Sequence, residues 1–348
     1  MTNETNSACT NLNEPLTVSV VIIGRNEGQR LTKCIQSVQS ADWKKHSYEL
    51  IYVDSNSSDG SLQNAKELGA NVAKLDDPSP SAGKARNLGW RMAKAPLILF
   101  LDGDTQLHPN FVNHALSVLK DPETCAAFGR LKEVHPEKSI YIRVMDLDWV
   151  FPLGKTLFFG GNVLVRRCAI AGVDGFDPTL KAGEEPEMCA RLRAGGWKIE
   201  HIDVPMATHD LAITTFKAYW LRAYRSGIAY AEVAERMRVR GDPLWQHDAK
   251  RDFRHGLLFT FTPILMWVHP LVTLAVLMAA LAVLARTAKR CAWKAPGQTL
   301  LCWQYAAHVL FQKIPAFFGQ LQWRRAQRQH AEIQMVEYKQ AVKSDDKP

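Results

Sequence analysis

The apolar and polar positions of the first hundred residues alternate between short apolar runs and segments with helical spacing. The apolar runs, rich in β-branched side chains, are residues 18–23, 50–53 and 97–101. The segments with helical spacing cover residues 29–40, a stretch through Ala65 and Leu68, and residues 84–93. Buried strands and amphipathic helices produce these two patterns. The alternation therefore predicts an α/β fold with a mostly parallel sheet flanked by helices.

Polar side chains follow each of the three predicted strands. They are Arg25, Asn26 and Glu27 after the first strand, Asp54 and Asp59 after the second, and Asp102 and Asp104 after the third. Ligands of open α/β sheets bind beyond the carboxyl ends of the strands, so we expect these side chains to meet at one edge. The chain has no GxGxxG, GxxxxGK[ST] or GxSxG motif, which argues against dehydrogenase, kinase-like and hydrolase functions.

Past residue 250 the chain becomes strongly apolar. Residues 256–285 have His269 and a few threonines as their polar side chains, with prolines at positions 263 and 270. The stretch is long enough to span a bilayer. Basic residues flank it on both sides, however, and a single crossing would place one basic cluster outside. A shallow or re-entrant hairpin bent at the prolines agrees better with this charge distribution.

A second apolar pattern lies within residues 299–323. Its apolar positions fall on one helical face, while Gln304, His308 and Gln312 fall on another, as in an amphipathic helix at a membrane interface. A buried core helix followed by a packed surface helix of a soluble protein stays open as the alternative for both patterns.

Charge separates the two parts of the chain. Residues 1–210 carry a net charge of −3, whereas residues 211–348 carry +11, which together give the +8 of the whole chain. Basic side chains beside apolar runs favour an anionic membrane surface over nucleic acid as the partner. None of the seven cysteines forms a CxxC pair, so neither a zinc site nor a disulfide framework is indicated. Reduced thiols and a cytoplasmic catalytic domain are the expectation.

The Asp102-Gly103-Asp104 segment is the candidate metal site. Transfer of a group from a nucleotide diphosphate creates negative charge on the departing phosphates, and bound Mg²⁺ or Mn²⁺ neutralises such charge. Hard cations prefer carboxylate oxygens, which an Asp-x-Asp pair after a buried strand supplies from a rigid base. A pair of aspartates that only caps the following turn remains the other interpretation.

Several segments, taken in order, resemble the motifs of the inverting family 2 glycosyltransferases. These segments are residues 53–61, 83–89, 100–104, 160–167, 175–177 and 183–192. The resemblance covers about residues 16–230 and implies a GT-A-like, Rossmann-like fold. It also implies inverting transfer of a sugar from a nucleotide-diphosphate sugar to an acceptor. The Gln-x-x-Arg-Trp motif of processive relatives is absent, which favours one transfer per binding event.

The resemblance also implies roles for the donor-binding and metal-binding residues. Asp54 would hold the nucleobase or ribose, near the loop of Arg25, Asn26 and Glu27, and Arg86 would approach the donor's base or diphosphate. Asp102 would face the ribose and Asp104 the metal, and Gly161 would line the sugar pocket. His209, after a predicted strand over 199–204, is the candidate third metal ligand.

Inverting transfer requires a base for the acceptor hydroxyl, and Glu185 is the candidate. The family usually shows Glu-Asp where this chain has Glu184-Glu185. Glu185 lies at the predicted start of a helix, where the helix dipole favours the ionised carboxylate. Because the side chain is longer by one methylene than the family's aspartate, Glu184 remains the second candidate.

These expectations give a predicted organisation of the whole chain. It consists of a flexible tail over 1–15, a catalytic domain over 16–240, a membrane-associated helical region over 241–330 and a polar tail over 331–348. The partners would be a nucleotide-sugar donor, a membrane and an acceptor, for which a lipid-linked molecule and a surface polysaccharide are the candidates. A nucleotidyltransferase, or a non-catalytic membrane protein that binds sugar nucleotides, are the competing functions.

Overall fold

The computed structural model describes residues 16–267, 269–331 and 333. The tail predicted over 1–15 lies outside the described residues, as does most of the tail predicted over 331–348. Contacts divide the described chain into two compact units. The first contains residues 16–134 and 151–211, and the second contains residues 135–150 and those from 212 onward. The boundary therefore falls near residue 211 rather than at the predicted residue 240, and the second unit takes a segment from within the first.

The first unit is built on one sheet. Its strands are β1 (Val18–Gly24), β2 (Tyr48–Asp54), β3 (Asn71–Lys74), β4 (Leu97–Asp102), β5 (Thr105–Leu107), β6 (Thr124–Glu133), β7 (Gly154–Lys155), β8 (Val163–Arg166) and β9 (Lys198–His209). The strand order is β3-β2-β1-β4-β8-β6-β9-β5, with β7 also paired to β9. Strands β3, β2, β1 and β4 are parallel, whereas β8 runs antiparallel to both of its neighbours. The predicted α/β sheet is confirmed, with a parallel half and a mixed half.

Helices connect these strands and form the second unit. They are α1 (Gln29–Gln39), α2 (Ser61–Glu67), α3 (Ala82–Met92), α4 (Phe111–Val118), α5 (Ile140–Met145), α6 (Arg167–Gly172), α7 (Glu184–Ala194), α8 (Phe216–Arg240), α9 (Gln246–Leu265), α10 (Pro270–Cys291), α11 (Thr299–Phe311) and α12 (Lys313–Gln329). Short 3₁₀ helices cover Asp146–Trp149 and Ala292–Lys294.

The packing of α3 against the sheet positions the segment that carries Arg86. A Cβ atom placed on Gly89 would lie 2.3 Å from Cγ1 of Val21 in β1, so only glycine allows α3 to approach this closely. Ala85, one turn earlier, is fully buried. Small residues on one face of α3 therefore hold the helix directly on the parallel strands.

The cysteines differ from the expectation at one position. Cys34, Cys125, Cys189, Cys291 and Cys302 are free and buried, as expected of reduced thiols. Cys168 is disulfide-bonded, so the prediction of reduced thiols is wrong there.

The predicted amphipathic helix over 299–323 consists of two helices, α11 and α12, which meet at Gln312. His308, from the predicted polar face, is buried, whereas Trp303, from the predicted apolar face, is 36% exposed. A glycine determines which face of α12 is buried. A Cβ on Gly319 would lie 2.0 Å from the carbonyl oxygen of Tyr224 in α8, so only glycine allows the two helices to approach this closely.

The predicted apolar stretch forms the end of α9 and most of α10. Helix α9 ends at Leu265, and α10 starts at Pro270, so the chain breaks between the two prolines as expected. Residues 257–286, where their burial is described, contain no buried side chain. The segment Pro270–Lys294 has a mean hydropathy of 2.1 and could cross a membrane by its length and composition.

Candidate active site

The carboxyl ends of β1, β2 and β4 lie side by side. Ile23 pairs with Val53 on one side and with Asp102 on the other, and Gly24 pairs with Asp54. The polar residues that follow these strands therefore share one edge of the sheet, which confirms the juxtaposition predicted from the sequence.

The loops after β1 and β2 are hydrogen-bonded to each other. The Asn26 N–H donates to Oγ of Ser57 at 2.9 Å, and the Ser58 N–H donates to Oδ1 of Asn26 at 2.8 Å. Asn26 has a φ of +55°, a left-handed conformation that asparagine adopts more readily than most residues. In this loop Arg25 is exposed and Glu27 is buried. The two loops thus form one connected rim of the site.

Asp54 lies at the base of this rim and is 1% exposed. Its carboxylate accepts hydrogen bonds from the Tyr52 hydroxyl at 2.9 Å and from the Ser57 N–H at 2.7 Å. Each carboxylate oxygen has a second lone pair, so Asp54 can still accept from a ligand while its orientation is held by the chain.

Arg86 lies at the centre of the site with its side chain 3% exposed. Its Nη2 is 2.9 Å from Oδ1 of Asp102, and its Nη1 is 3.0 Å from Oε1 of Glu184 and 2.9 Å from Oε1 of Glu185. We predicted that Arg86 approaches the donor. In the structure its two terminal nitrogens face protein carboxylates instead, and the residue joins the end of β4 to the start of α7.

Burial and charge shift the protonation of this cluster. Burial alone would lower the pKa of Arg86, but the carboxylates of Glu185, Asp102 and Glu184 outweigh it and raise the pKa. Burial, and after it the charge of Glu184, raises the pKa of Glu185 to about 7. Glu185 lies in the first turn of α7, as predicted. The helix dipole favours the ionised form, but burial and the neighbouring carboxylate outweigh it and favour the protonated form.

Gly161 packs against this cluster. A Cβ at this position would lie 2.4 Å from Oδ2 of Asp102 and 2.5 Å from Nη2 of Arg86. The next residue, Asn162, accepts a hydrogen bond from the Asp102 N–H at 3.1 Å. Residues 161 and 162 therefore fix the position of Asp102, and any side chain at Gly161 would displace the ion pair.

Asn87 has a role that the sequence did not indicate. Its Oδ1 accepts from the Phe176 N–H at 2.9 Å and its Nδ2 donates to the Phe176 carbonyl at 2.7 Å. Phe176 in turn lies against Arg86, whose Cζ is 5.6 Å from the ring centroid. The motif containing Arg86 and Asn87 thus holds both the carboxylates and the loop beside them.

Asp104 and His209 meet on the other side of the sheet edge. Nε2 of His209 lies 3.4 Å from Oδ2 of Asp104, and both side chains are buried. Pairing of β5 with β9 opposes Thr105 to His209 and so brings the two segments together. Nδ1 of His209 lies 2.8 Å from Oε1 of Glu133, a residue that no sequence motif indicated.

The donor set of Asp104 and His209 fits a divalent cation. Within the described residues no three His, Cys, Asp or Glu side chains converge as a metal-binding group. Asp102, predicted as a ligand, has one oxygen bound to Arg86. A two-residue site still suits Mg²⁺ or Mn²⁺, because such ions are commonly held by one or two protein ligands together with substrate phosphates.

The thiol of Cys34 reports the electrostatic environment of this edge. Burial raises its pKa first, and the negative charges of Asp104, Asp102 and Glu27 raise it further. Burial and three nearby carboxylates therefore both favour the neutral thiol of Cys34.

Comparison with known proteins agrees with this architecture. Residues 19–171 match the model of the family described as glycosyl transferase family 2. The chain is 28% identical over 191 residues to glycosyltransferase AglE of Haloferax volcanii, covering 52% of this chain and 63% of AglE. It is 23% identical over 234 residues to the probable glycosyltransferase YdaM of Bacillus subtilis, covering 62% of this chain and 55% of YdaM. The alignments thus span less than two thirds of each relative.

A solved structure shares the fold. The mannosyltransferase PcManGT from Pyrobaculum calidifontis, in complex with GDP-Man and Mn²⁺, superposes with a TM-score of 0.59 at 16% identity, and the match covers 88% of both chains. The expected GT-A-like fold is therefore confirmed. Residues 19–171 form a glycosyl transferase family 2 domain.

Proposed function

We propose that this protein transfers a sugar from a nucleotide-diphosphate donor to an acceptor hydroxyl with inversion, in a metal-dependent and non-processive reaction. The observation that carries the proposal is the convergence of Asp102, Glu184 and Glu185 on the buried guanidinium of Arg86. This arrangement places a candidate base within one ion-paired cluster with a donor-site carboxylate. A protein that only binds sugar nucleotides does not require a base for an acceptor hydroxyl.

The donor would bind along the rim formed by the loops after β1 and β2. Asp54 would accept from the base or ribose, with Arg25, Asn26 and Glu27 beside it, and Asp102 would face the ribose. Asp104 and His209 would hold Mg²⁺ or Mn²⁺, which would neutralise the charge that develops on the leaving diphosphate. The cation in the PcManGT complex agrees with this choice for a protein of the same fold.

Glu185 would act as the general base. Its side chain is 17% exposed, whereas that of Glu184 is 6% exposed, so Glu185 is the more accessible to an acceptor. The carboxylate would take the proton of the acceptor hydroxyl as that oxygen attacks the anomeric carbon and the diphosphate departs. Arg86 would hold both Glu185 and Asp102 in place and would act on the donor through these carboxylates.

Donor turnover tests this function directly. We expect the purified full-length protein with Mn²⁺ to release nucleoside diphosphate from one member of a panel of UDP- and GDP-linked sugars. Release should rise when the correct acceptor is added, and the product should have the opposite anomeric configuration to the donor. Formation of a nucleoside triphosphate and sugar 1-phosphate from the sugar nucleotide and added pyrophosphate would instead indicate a nucleotidyltransferase, and binding without turnover would indicate a non-catalytic protein.

We also propose that the end of α9 and most of α10 insert into the membrane as a shallow hairpin. The last ten residues of α9, which are apolar except for Thr260 and Thr262, extend about 15 Å, which is about half of a bilayer's hydrocarbon thickness. Basic residues 250, 251 and 254 precede the hairpin and residues 286, 289 and 290 follow it, so a hairpin would keep both groups at one anionic surface. This location would favour a lipid-linked acceptor and a cytoplasmic catalytic domain.

The exposed apolar side chains of the hairpin give the test. Replacing Leu258, Leu274 and Leu277 together by glutamate should release the protein from membranes, because burial of each leucine contributes about 1.5–3 kcal/mol. All three are more than half exposed, as Leu258 is 55%, Leu274 56% and Leu277 52% exposed, so the fold should survive. Flotation with liposomes containing anionic lipid measures the effect. Val239→Glu, on α8 and 74% exposed, is the control and should stay membrane-bound.

A further inference from the structure

We propose that Glu133 is a positioning residue for the cation site. In this proposal it fixes the ring of His209 so that the Nε2 lone pair faces the cation beside Asp104. The inference rests on the metal dependence proposed above and adds a residue that lies outside every motif of the sequence.

The main chain brings Glu133 and His209 together. They are register partners in the parallel pairing of β6 with β9, and the Val134 N–H donates to the His209 carbonyl at 2.9 Å. Oε1 of Glu133 lies 2.8 Å from Nδ1 of His209, and Oε2 accepts from the Leu211 N–H at 3.0 Å. The side chain of Glu133 is 1% exposed and that of His209 is 8% exposed. The carboxylate is therefore held by β9 and by the residues directly after it.

This contact determines which ring nitrogen carries the hydrogen. A carboxylate can only accept, so Nδ1 must donate to Glu133. In the neutral ring this leaves Nε2 as an acceptor, pointing at Oδ2 of Asp104 across 3.4 Å. Two acceptor atoms at this separation repel each other unless a cation, or a proton on Nε2, lies between them. Metal-binding histidines commonly donate their other N–H to a carboxylate in this way, which orients the ring.

Glutamine at position 133 would reverse the arrangement. A glutamine has one acceptor oxygen, which the Leu211 N–H can occupy, and its NH₂ group would then donate to Nδ1 of His209. Nε2 would carry the hydrogen and donate to Asp104, so the two ligand atoms would bind each other instead of a cation. Loss of such a supporting carboxylate typically lowers metal affinity by about 10- to 100-fold.

The experiment measures Mn²⁺ binding by the purified full-length protein, using the EPR signal of free Mn²⁺, first alone and then with UDP or GDP. We expect Glu133→Gln to weaken Mn²⁺ binding about 10- to 100-fold. His209→Ala should weaken it at least as much, and adding Glu133→Gln to His209→Ala should cause no further loss. This non-additivity separates positioning through His209 from a general loss of structure, which would lower affinity in both backgrounds.

Glu49→Gln is the matched control. Glu49 also accepts from a main-chain N–H, that of Lys94 at 2.7 Å, but it lies near the opposite end of β2. The Mn²⁺ affinity of the Glu49→Gln variant should equal that of the wild type. Thermal melting without metal shows whether Glu133→Gln folds. If it does not fold, Glu133→Asp replaces it, because this variant keeps the negative charge but moves the carboxylate away from Nδ1 of His209 by about one methylene.

The outcomes separate the two proposals. Wild-type affinity in the folded Glu133 variant, or a further loss in the double variant, overturns the role of Glu133 and leaves the proposed function standing. If the wild-type protein itself binds no Mn²⁺ with or without nucleotide, the proposed metal dependence fails and the inference fails with it.

Discussion

Replacing Glu185 by glutamine should lower turnover by about 10²- to 10⁴-fold, the usual contribution of a general base. Glutamine keeps the size of the side chain but cannot accept the acceptor's proton. Donor and Mn²⁺ affinities should stay near those of the wild type, because the groups proposed to bind them lie on other segments. Nucleotide release measures turnover, and isothermal titration calorimetry measures the donor and Mn²⁺ affinities.

The pH dependence provides a second readout of the same variant. Because the pKa of Glu185 is raised to about 7, the ionised base is abundant only above that pH. Wild-type kcat/KM should therefore rise with pH through about 7, and the residual activity of Glu185→Gln should lack this limb. Glu184→Gln is the comparison. Normal turnover of Glu185→Gln together with loss in Glu184→Gln would move the base by one residue, and normal turnover in both would place it outside α7.

Replacing Asp104 by alanine should reduce turnover by about 10³-fold or more, since loss of metal stabilisation of the leaving group costs several kcal/mol. Chelation of the wild type should have the same effect, and added Mn²⁺ should restore the wild type but not the variant. The measurement is nucleotide release with and without EDTA.

A matched control for Asp104→Ala lies elsewhere in the same sheet. Asp203 is an exposed aspartate of β9 that pairs with Arg130, so Asp203→Ala should keep wild-type activity and metal response. Full activity of Asp104→Ala in the presence of chelator would show that a side chain, rather than a cation, neutralises the leaving diphosphate.

The sequence predicted β1, β2 and β4 because each contains an apolar run rich in β-branched, aliphatic or aromatic residues. Strands β6 and β8 gave no such signal. Strand β6 alternates between buried and exposed positions in its second half, and β8 has four residues. The division of the C-terminal helical segment at Gln312 was also not predicted. Pro315 lies within the first turn of α12, where proline is tolerated, so a proline at this position fits the start of a new helix.

The candidate site was predictable as far as its residues lie in motifs. Asp102, Asp104, Arg86 and Glu185 each belong to a recognisable segment, and the structure brings three of these, Asp102, Arg86 and Glu185, into one ion-paired cluster. Glu133 could not be found in this way. It is 76 residues from its partner His209, and their contact depends on the pairing of β6 with β9, which local patterns do not reveal.

The order of the segments along the chain limits how the two units can be separated or exchanged. Residues 135–150 belong to the second unit although they lie between two segments of the first, so three junctions rather than one join the units along the sequence. A chimera that exchanges the helical unit for that of a relative therefore needs a replacement at residues 135–150 as well as after residue 211. During synthesis, residues 135–150 emerge before the helices from residue 212 onward, so they wait without their helical partners until those helices have been made.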